Sequence, residues 1–344
     1  MSIAAVARAA GVSVATVSRA FNTPDAVALD TRQRVARAAR AVDYRPNASA
    51  RTLRTQRSRV LGVVLPTLLN PVFAECLQGI AEAAAASGYA ILPATTEYRL
   101  DAERDAVAAL QAAGVDGVVL VVSNPATSRA LQALAASGLR YVLAYNRHPR
   151  HPCVSVDGTG AMGEVVERLV ALGHARIAMV VGEPKASDRA QQRLAGFLAG
   201  MARAGLAPLS TIEVPFVESA VDRVAAALAR ADRPTALVCS NDLLAVRAVR
   251  AAHLRGLAVP ADVSVFGFDG IALGADLVPS LATVAQPNAA IGRQSVELLV
   301  EALASGAPLA ANASRSLPHT LQPGESCGPA PARHPPSATK RRPA

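Results

Sequence analysis

The sequence predicts an all-α N-terminal head followed by an α/β core of two lobes, each built on a parallel sheet. Three short helical patterns fill the first 42 residues, and from Val60 onward short β-branched runs alternate with helical stretches. Apolar strands between amphipathic helices are typical of doubly wound parallel sheets. The core contains more such units than one sheet usually holds, which favours two sheets side by side in this 344-residue chain.

The head begins with two helices joined by a glycine turn. An apolar stripe predicts a first helix over Ile3–Ala10, and Gly11 can adopt the positive φ of a tight turn. Ser13 is a suitable N-cap for a second helix, over residues 14–20. A third helix is expected from about residue 30 to 42. This spacing predicts a helix-turn-helix unit.

A short basic segment, YRPNASARTLRTQRSR, follows the head. Pro46 ends the third helix, and Asn47 can cap a new helix that carries Arg51, Leu53 and Arg54. So short a helix is mostly unfolded when it is alone in water. A leucine flanked by arginines fits a wedge that opens a base step in the DNA minor groove. The alternative is a leucine that packs on the core.

The core pattern runs as strand and helix in alternation. The expected strands are VLGVVLP, YAILPA, DGVVLVV, YVLAYN, RIAMVVG, TALVCS and DVSVFGF. The helical stretches between them are 72–87, 101–113, 127–137, 158–172, 188–204, 219–230 and 241–255. The interruption NRHPRHPC, at about 146–153, is the candidate crossover between the sheets. After Leu321 a proline-rich composition predicts a disordered tail.

Positive charge is concentrated at the N-terminus. Residues 1–58 hold ten arginines against three aspartates, a balance of +7, whereas residues 323–344 carry +3 and the middle carries −1. A basic head on a near-neutral body indicates a polyanionic partner. The chain has no stretch of 18 uninterrupted apolar residues and no pattern of a secretory signal, so we expect a cytoplasmic protein. Its four scattered cysteines predict neither a disulfide nor a zinc site.

In a helix-turn-helix unit the second helix enters the major groove. Its hydroxyl side chains are suited to phosphates, namely Ser13, Thr16 and Ser18, and its outward side chains are suited to bases, namely Val14, Ala15 and Arg19. An ordinary helical hairpin with small residues is the alternative. The charge of the head and the basic segment after it favour DNA binding.

Similarity to known sequences covers about residues 2–320 and is carried by VARAAGVSVATVSRAFN, TRQRVARAARAVDYRPNASARTLRTQRSRVLGVVLP, NPVFAE, LVALGHARIAMVVG, RLAGF, CSNDLLAVRA, VPADVSVFGFDG and PSLATVAQP. In this order and spacing, the stretches resemble the lactose-repressor/galactose-repressor (LacI/GalR) family of bacterial transcription regulators. The resemblance implies a DNA-binding head, a hinge helix that folds on operator DNA, and a core like periplasmic sugar-binding proteins with two Rossmann-like lobes.

Residue by residue, the resemblance places Val14, Ala15 and Arg19 at the major-groove bases, Leu53 at the minor groove, and Asn47, Ala50 and Arg51 in the same hinge. The expected DNA-binding set also includes Ser13, Thr16, Ser18 and Asn22. The sequence departs from the family pattern at two places. Ser49 stands where relatives often have an apolar residue, which is expected to weaken the hinge contact. Ala4 and Ala5 stand where lysine and aspartate are common, which removes charge from the first helix.

The resemblance also implies an effector between the lobes. The matching positions are Phe73, Asp157, Arg193, Phe216, Asn241 and Asp269. Carboxylates and the amide can bind hydroxyl groups, the guanidinium can bind oxygens, and the phenylalanines can stack on a flat or apolar face, so the expected ligand is a small polar molecule, most simply sugar-like.

Other functional classes fit the sequence less well. GTGAMG, residues 158–163, has the outline of a dinucleotide-binding loop, but Asp157 precedes it and Glu183 lies before a proline. His174 has no nucleophile beside it and is expected to be structural. We therefore expect no catalytic residue, no metal and no cofactor. The remaining alternative is a periplasmic-type binding protein without regulatory output.

The predicted organisation is a head over 1–45, a hinge over 46–58, a core over 59–322 and a tail over 323–344. The expected N-lobe comprises about 59–148 and 285–310, and the expected C-lobe about 153–283 and 311–322. The expected partners are double-stranded operator DNA, a small-molecule effector and a second copy of the chain. A dimer is favoured over a tetramer because no heptad pattern follows Leu321.

Overall fold

The computed structural model describes residues 2–44, 57–216, 221–307 and 309–332. The chain divides into two compact units, Met1–Arg59 and Val60–Ala344. They correspond to the predicted head with its basic segment and to the predicted core.

The head has helices Ile3–Ala10, Val14–Asn22 and Leu29–Ala41. Gly11 ends the first helix in the left-handed conformation, with φ 64°. The Ser13 hydroxyl accepts a hydrogen bond from the Thr16 N–H at 3.1 Å, so the predicted turn and cap are confirmed. The apolar faces of the three helices meet in a small core around Val6, Val17 and Val35, which are fully buried.

Among the described residues, no single helix is long and apolar enough to cross a membrane. The first two helices meet that length and composition only as a pair bent by 102°.

In the core, twelve strands lie in the described residues: β1 Val60–Leu65, β2 Ala90–Thr95, β3 Gly117–Leu120, β4 Arg140–Ala144, β5 Cys153–Ser155, β6 Ile177–Gly182, β7 Ile212–Val214, β8 Ala236–Cys239, β9 Ser264–Asp269, β10 Ala282–Ala285, β11 Arg315–Ser316 and β12 Thr320–Gln322. The helices are Pro71–Ala86, Leu100–Ala112, Arg129–Ser137, Gly158–Ala171, Asp188–Arg203, Val221–Leu228, Asp242–Leu254 and Asn288–Ser305.

The strands form two six-stranded sheets, in the orders β11-β5-β4-β3-β1-β2 and β12-β10-β9-β8-β6-β7. All pairs are parallel except β10 with β12. In the first sheet Val60 lies opposite Ala90, and the register continues residue by residue. The predicted pair of parallel sheets is confirmed.

The first crossover lies later than predicted. β5 pairs with β4, so Cys153–Ser155 belongs to the first sheet, and the chain changes sheets between Ser155 and Gly158. The loop NRHPRHPC therefore connects two neighbouring strands of the same sheet, β4 and β5. β11 pairs with β5, so assigning residues 311–316 to the C-lobe was also wrong. We call the described residues of 60–155 and 288–316 the first lobe, and those of 158–285 and 320–330 the second lobe.

The predicted disordered tail is wrong for its first ten residues. Ser326 is fully buried, and its carbonyl accepts a hydrogen bond from the Val265 N–H at 2.7 Å. The Ala330 N–H donates to the Leu172 carbonyl at 2.8 Å. Residues 323–332 therefore pack on the second lobe, because their backbone satisfies hydrogen bonds there despite the prolines. Residues 333–344 lie outside the described residues.

Close helix packing in the first lobe depends on two glycines. A Cβ at Gly79 would lie 2.0 Å from the Ala289 carbonyl oxygen, and one at Gly292 would lie 2.2 Å from the Cys76 carbonyl oxygen. Only glycine allows the helices Pro71–Ala86 and Asn288–Ser305 to approach so closely. This contact holds the helix Asn288–Ser305, which follows β10 of the second sheet, against the first lobe.

Candidate functional site

The second helix of the head presents a small exposed surface. Val14, Ala15 and Arg19 are exposed, whereas Val17 between them is buried. Within the described head, Arg19 has no ion-pair partner. The predicted base-reading side chains are therefore on the solvent side of the helix.

The other predicted residues on this helix form hydrogen bonds with one another. The hydroxyls of Ser13 and Thr16 lie 2.9 Å apart, and the Asn22 amide donates to the Ser18 carbonyl at 2.6 Å. Ser13 and Asn22 are exposed, and Thr16 and Ser18 are half-buried. The predicted hinge residues Asn47, Ala50, Arg51 and Leu53 lie outside the described residues.

A second candidate site lies between the two lobes of the core. It is a cavity of about 30 Å³ at the carboxyl ends of the parallel strands, where open α/β sheets bind ligands. Its walls are Asn70, Val72, Phe73, Tyr98, Tyr145, Ser187, Arg189, Ala190, Arg193, Phe216, Ser240, Asn241, Asp269 and Gln286.

A buried ion pair occupies the centre of this site. Nη1 of Arg193 lies 3.2 Å from Oδ1 of Asp269 and also donates to the Ser240 carbonyl. The guanidinium carbon is 3.7 Å from the centroid of the Phe268 ring, a cation–π contact. Gln286 donates to the same Asp269 oxygen at 2.8 Å. These contacts orient both charged groups toward the cavity.

Burial raises the pKa of Asp269 to about 7. The Arg193 charge opposes this shift, and the nearby Asp242 carboxylate adds to it. Burial also lowers the pKa of Arg193. Asp269 adopts a φ of 124°, which is strained for a residue with a side chain. Strain and a perturbed carboxyl group in a cleft are typical of a functional site.

We expect Asp269→Asn to reduce the pH dependence of stability. The folded-state pKa is raised from 3.8 to about 7, so the folded protein binds this proton more tightly, and stability falls as the pH rises through that window. The variant lacks this group, so its denaturation curves should show a smaller loss of unfolding free energy between pH 4 and 7. Part of the slope should persist, because burial also raises the pKa values of Glu103, Asp188 and Asp242. Identical slopes for wild type and variant would contradict the assignment.

Aromatic side chains from both lobes line the cavity. Tyr98, after β2, and Phe216, after β7, stack with ring centroids 4.5 Å apart and an interplanar angle of 9°. Phe73 and Tyr145 form an edge-to-face pair at 5.8 Å. The Tyr98–Phe216 pair crosses from the first lobe to the second.

Polar contacts also join the lobes beside the cavity. The Asp188 N–H donates to the Ser123 carbonyl at 2.7 Å, and the Asn146 amide donates to the Asp188 carboxylate at 2.6 Å. Arg189 donates to the Val122 carbonyl at 2.9 Å. The lobes are closed on each other, and a cavity of about 30 Å³ accommodates little more than a water molecule. A larger ligand requires the lobes or the wall side chains to move.

Five of the six predicted effector residues line the cavity: Phe73, Arg193, Phe216, Asn241 and Asp269. Asp157 does not. Its carboxylate accepts a hydrogen bond from the Gly160 N–H at 3.1 Å and lies 3.7 Å from Arg147, and the side chain is 54% exposed. In this closed arrangement Asp157 caps the helix Gly158–Ala171 and lies outside the cavity wall, so its contact with an effector stays a prediction.

Several wall residues were not predicted. Arg189 lies four residues before Arg193 on one helix, so it shares that face, and helical spacing alone could have identified it. Tyr145 is the next-to-last residue of the predicted strand YVLAYN, at the edge where ligands bind. Tyr98 and Gln286 had no such signal, because a loop places the first and the second follows β10, which the strand pattern did not include.

The alternative sites are accounted for structurally. The glycines of GTGAMG begin a helix whose Gly160 N–H is already capped by Asp157, and a Cβ at Gly163 would lie 2.4 Å from Arg203. This leaves no glycine cradle for a pyrophosphate. His174 is buried between the Thr235 hydroxyl and the Gly328 carbonyl, each at 3.0 Å. In the described parts of the chain, no cluster of His, Cys, Asp or Glu could hold a metal ion.

Comparison with known proteins identifies the family of both the head and the core. Residues 2–47 match the family described as bacterial regulatory proteins, lacI family, and residues 166–327 match the periplasmic binding protein-like domain. The chain is 31% identical to the HTH-type transcriptional regulator DegA of Bacillus subtilis, over 84% of this chain and 87% of that one. It is 32% identical to the HTH-type transcriptional repressor PurR of Photobacterium profundum, over 86% and 90%.

Solved structures show the same architecture. The lac repressor dimer bound to operator and the anti-inducer ONPF superposes with a TM-score of 0.84 at 27% identity, covering 95% of this chain and 98% of that one. The transcriptional regulator CelR–cellobiose complex superposes with a TM-score of 0.68 at 26% identity, covering 95% and 100%. The matched head rules out a binding protein without regulatory output. The chain therefore belongs to the lacI family of bacterial regulatory proteins and is a DNA-binding transcriptional repressor, not an enzyme.

Proposed function

We propose that this repressor binds an inverted-repeat operator as a homodimer, and that a small polar, sugar-like metabolite in the inter-lobe cavity controls its operator affinity. The observation that carries this proposal is the buried Arg193–Asp269 pair, which faces a cavity between two lobes that contact each other directly. Two similar structures support it, since one is a dimer bound to operator and the other is a cellobiose complex.

The head supplies the contacts to DNA in this proposal. Arg19 reads a guanine in the major groove of each half-site, because its guanidinium matches the two acceptors on that base. Val14 and Ala15 offer only apolar contact, such as with a thymine methyl group. Ser13 and Thr16 bind phosphates near the start of the helix.

In this proposal, ligand binding in the inter-lobe cavity controls the affinity for operator DNA. A ligand shifts a conformational equilibrium only by binding one state more tightly than the other. Hydroxyl groups of the effector bind Arg193, Asn241 and Asp269, and its presence changes how closely the lobes approach. The two hinges of the dimer then fold on DNA more or less readily, so effector and operator affinities are coupled.

A gel shift with the DNA upstream of the gene and its neighbours tests the DNA-binding part. We expect one fragment to be retained, with an affinity that falls steeply as salt rises because several phosphate contacts release counterions. A thermal-shift screen against a metabolite panel then identifies the effector, and a hit must change operator affinity in the same gel shift. A stabilising ligand without effect on operator binding would contradict the proposed control.

Leu53→Ala tests the proposed hinge. If Leu53 wedges into the central minor groove, its truncation lowers operator affinity and reduces DNA bending together, because less of one base step is opened. Circular-permutation gel shifts measure the bend angle. Arg8→Ala, a change on the first helix of the head, is the control and should leave the bend unchanged. An unaltered bend in Leu53→Ala would rule out the wedge.

A further inference from the structure

The side chain of Tyr98 fills the part of the cavity that faces Phe216. The two rings are nearly parallel, at 9°, with centroids 4.5 Å apart, which is the geometry of an aromatic stack. Phe216 is held in place by its other neighbours: a Cβ at Gly182 would lie 2.1 Å from its ring, so only glycine leaves room for it. Phe216 thus has a defined position, and Tyr98 covers it.

The loop that carries Tyr98 is under local strain in this closed arrangement. Glu97 and Tyr98 have φ values of 51° and 60°, both in the left-handed region that residues with side chains rarely adopt. The neighbouring Thr96 hydroxyl is buried and has no hydrogen-bond partner among the described residues. An unpaired buried hydroxyl is unfavourable. Both features are costs that this loop carries in the described arrangement.

Tyr98 is also held by fewer polar contacts than Tyr145, the other tyrosine of the cavity wall. Its hydroxyl makes no hydrogen bond within the described part of the chain. Tyr145, by contrast, donates to the Val72 carbonyl at 3.0 Å and contacts the Asn288 amide oxygen at 3.2 Å. Arg193 and Asp269 are held by each other. Since the remaining cavity is only about 30 Å³, an incoming ligand needs space, and withdrawal of the Tyr98 ring provides it without breaking a side-chain hydrogen bond among the described residues.

We propose that the Tyr98 ring occupies the place that a flat ring of the effector takes when the effector binds. This inference rests on the proposed function and narrows its ligand class. The effector is a hydroxyl-bearing molecule joined to a planar aromatic or heteroaromatic ring, as in an aryl glycoside or a nucleoside. Its ring displaces Tyr98 and stacks on Phe216, and its polar part binds Arg193, Asn241 and Asp269.

The proposal predicts that removal of the ring opens a slot selective for planar molecules. Tyr98→Gly removes the side chain and suits the left-handed backbone at this position, so it is expected to fold. The probe is p-cresol, which corresponds to the excised side chain, and its non-planar counterpart is 4-methylcyclohexanol. By calorimetry, we expect Tyr98→Gly to bind p-cresol about tenfold more tightly than wild type does, and more tightly than it binds 4-methylcyclohexanol.

Three controls isolate the stack. Tyr98→Ala also removes the ring and should show the same gain. Tyr98→Leu fills the slot with a non-planar side chain and should show none. Tyr141→Ala removes a tyrosine of the same lobe that lies outside the cavity wall, bonded to His151 at 2.7 Å, and should also show none.

The proposal is overturned if neither Tyr98→Gly nor Tyr98→Ala gains p-cresol affinity, if both bind the planar and non-planar probes equally, or if Tyr141→Ala gains as much. None of these measurements uses DNA. A failed p-cresol experiment with intact, effector-responsive operator binding would therefore remove only the ring-stacking inference, whereas absent operator binding would remove the proposed function.

Discussion

Replacing Arg193 with alanine is expected to lower the free energy of unfolding by about 3–5 kcal/mol, because it leaves the buried Asp269 carboxyl without its cation. Arg193 is 8% exposed, and its loss also removes the stack on Phe268. Chemical denaturation measures the effect. The same variant should lose its response to the effector, since the guanidinium faces the cavity.

The expected loss depends on pH. Asp269 is largely protonated at pH 5 because burial raises its pKa to about 7, so Arg193 has little charge to balance there. The destabilisation by Arg193→Ala should therefore be smaller at pH 5 than at pH 8. In the double variant with Asp269→Asn, no buried carboxylate remains beside the vacated position, and part of the stability at pH 8 should return.

Arg203→Ala is a matched control on the same helix. Arg203 forms an exposed ion pair with Glu167 at 3.2 Å, and such pairs contribute within about 1 kcal/mol. Equal losses from Arg193→Ala and Arg203→Ala would show that the buried pair has no special importance. A stable Arg193→Ala protein that still responds to effector would reject the cavity as the effector site.

Arg19→Ala is expected to weaken operator binding by about 1–3 kcal/mol for each half-site, because a bidentate contact to guanine is lost. In a dimer both half-sites are affected, so the total is about 2–6 kcal/mol if the two contributions add. Stability should be unchanged, since Arg19 is exposed and has no ion-pair partner in the described head.

Gel shifts with a series of single-base operator changes separate base reading from phosphate binding. Arg19→Ala should lose discrimination at one position of each half-site and retain it elsewhere. Arg8→Ala, which removes the same charge from an exposed position on the first helix, should weaken binding little and equally on all sequences. A uniform loss with Arg19→Ala would make Arg19 a phosphate contact.

The local features of the head and the core could be predicted from the sequence. Gly11 and Ser13 act within three residues of their own positions, as a left-handed turn and a helix cap, so no distant contact is needed to identify them. The alternation of apolar strands and helices likewise predicted two parallel sheets. Residues implied by the family pattern, such as Arg193 and Asp269, also line the cavity as expected.

Features that depend on contacts between distant residues could not be predicted. Asp157 was predicted to contact the effector, whereas its distance from the cavity wall and its role as a helix cap became visible only in the fold. The short strand Cys153–Ser155 belongs to the first sheet because it pairs with β4. The tail residue Ser326 packs on the second lobe, where its carbonyl accepts a hydrogen bond from the Val265 N–H. Which strands pair, and which backbone N–H and C=O groups form hydrogen bonds with each other, depends on the whole fold.

The sequence by itself determined the two units, the helix-turn-helix, the paired sheets and the family, because these follow from periodicity, charge and motifs of a few residues. Only the tertiary structure decided that the lobes are closed and that Tyr98 covers Phe216, which is far from it along the chain. Ring stacking acts over a few ångströms in space and leaves no pattern in a linear sequence, so the folded chain was needed to bring the two rings together.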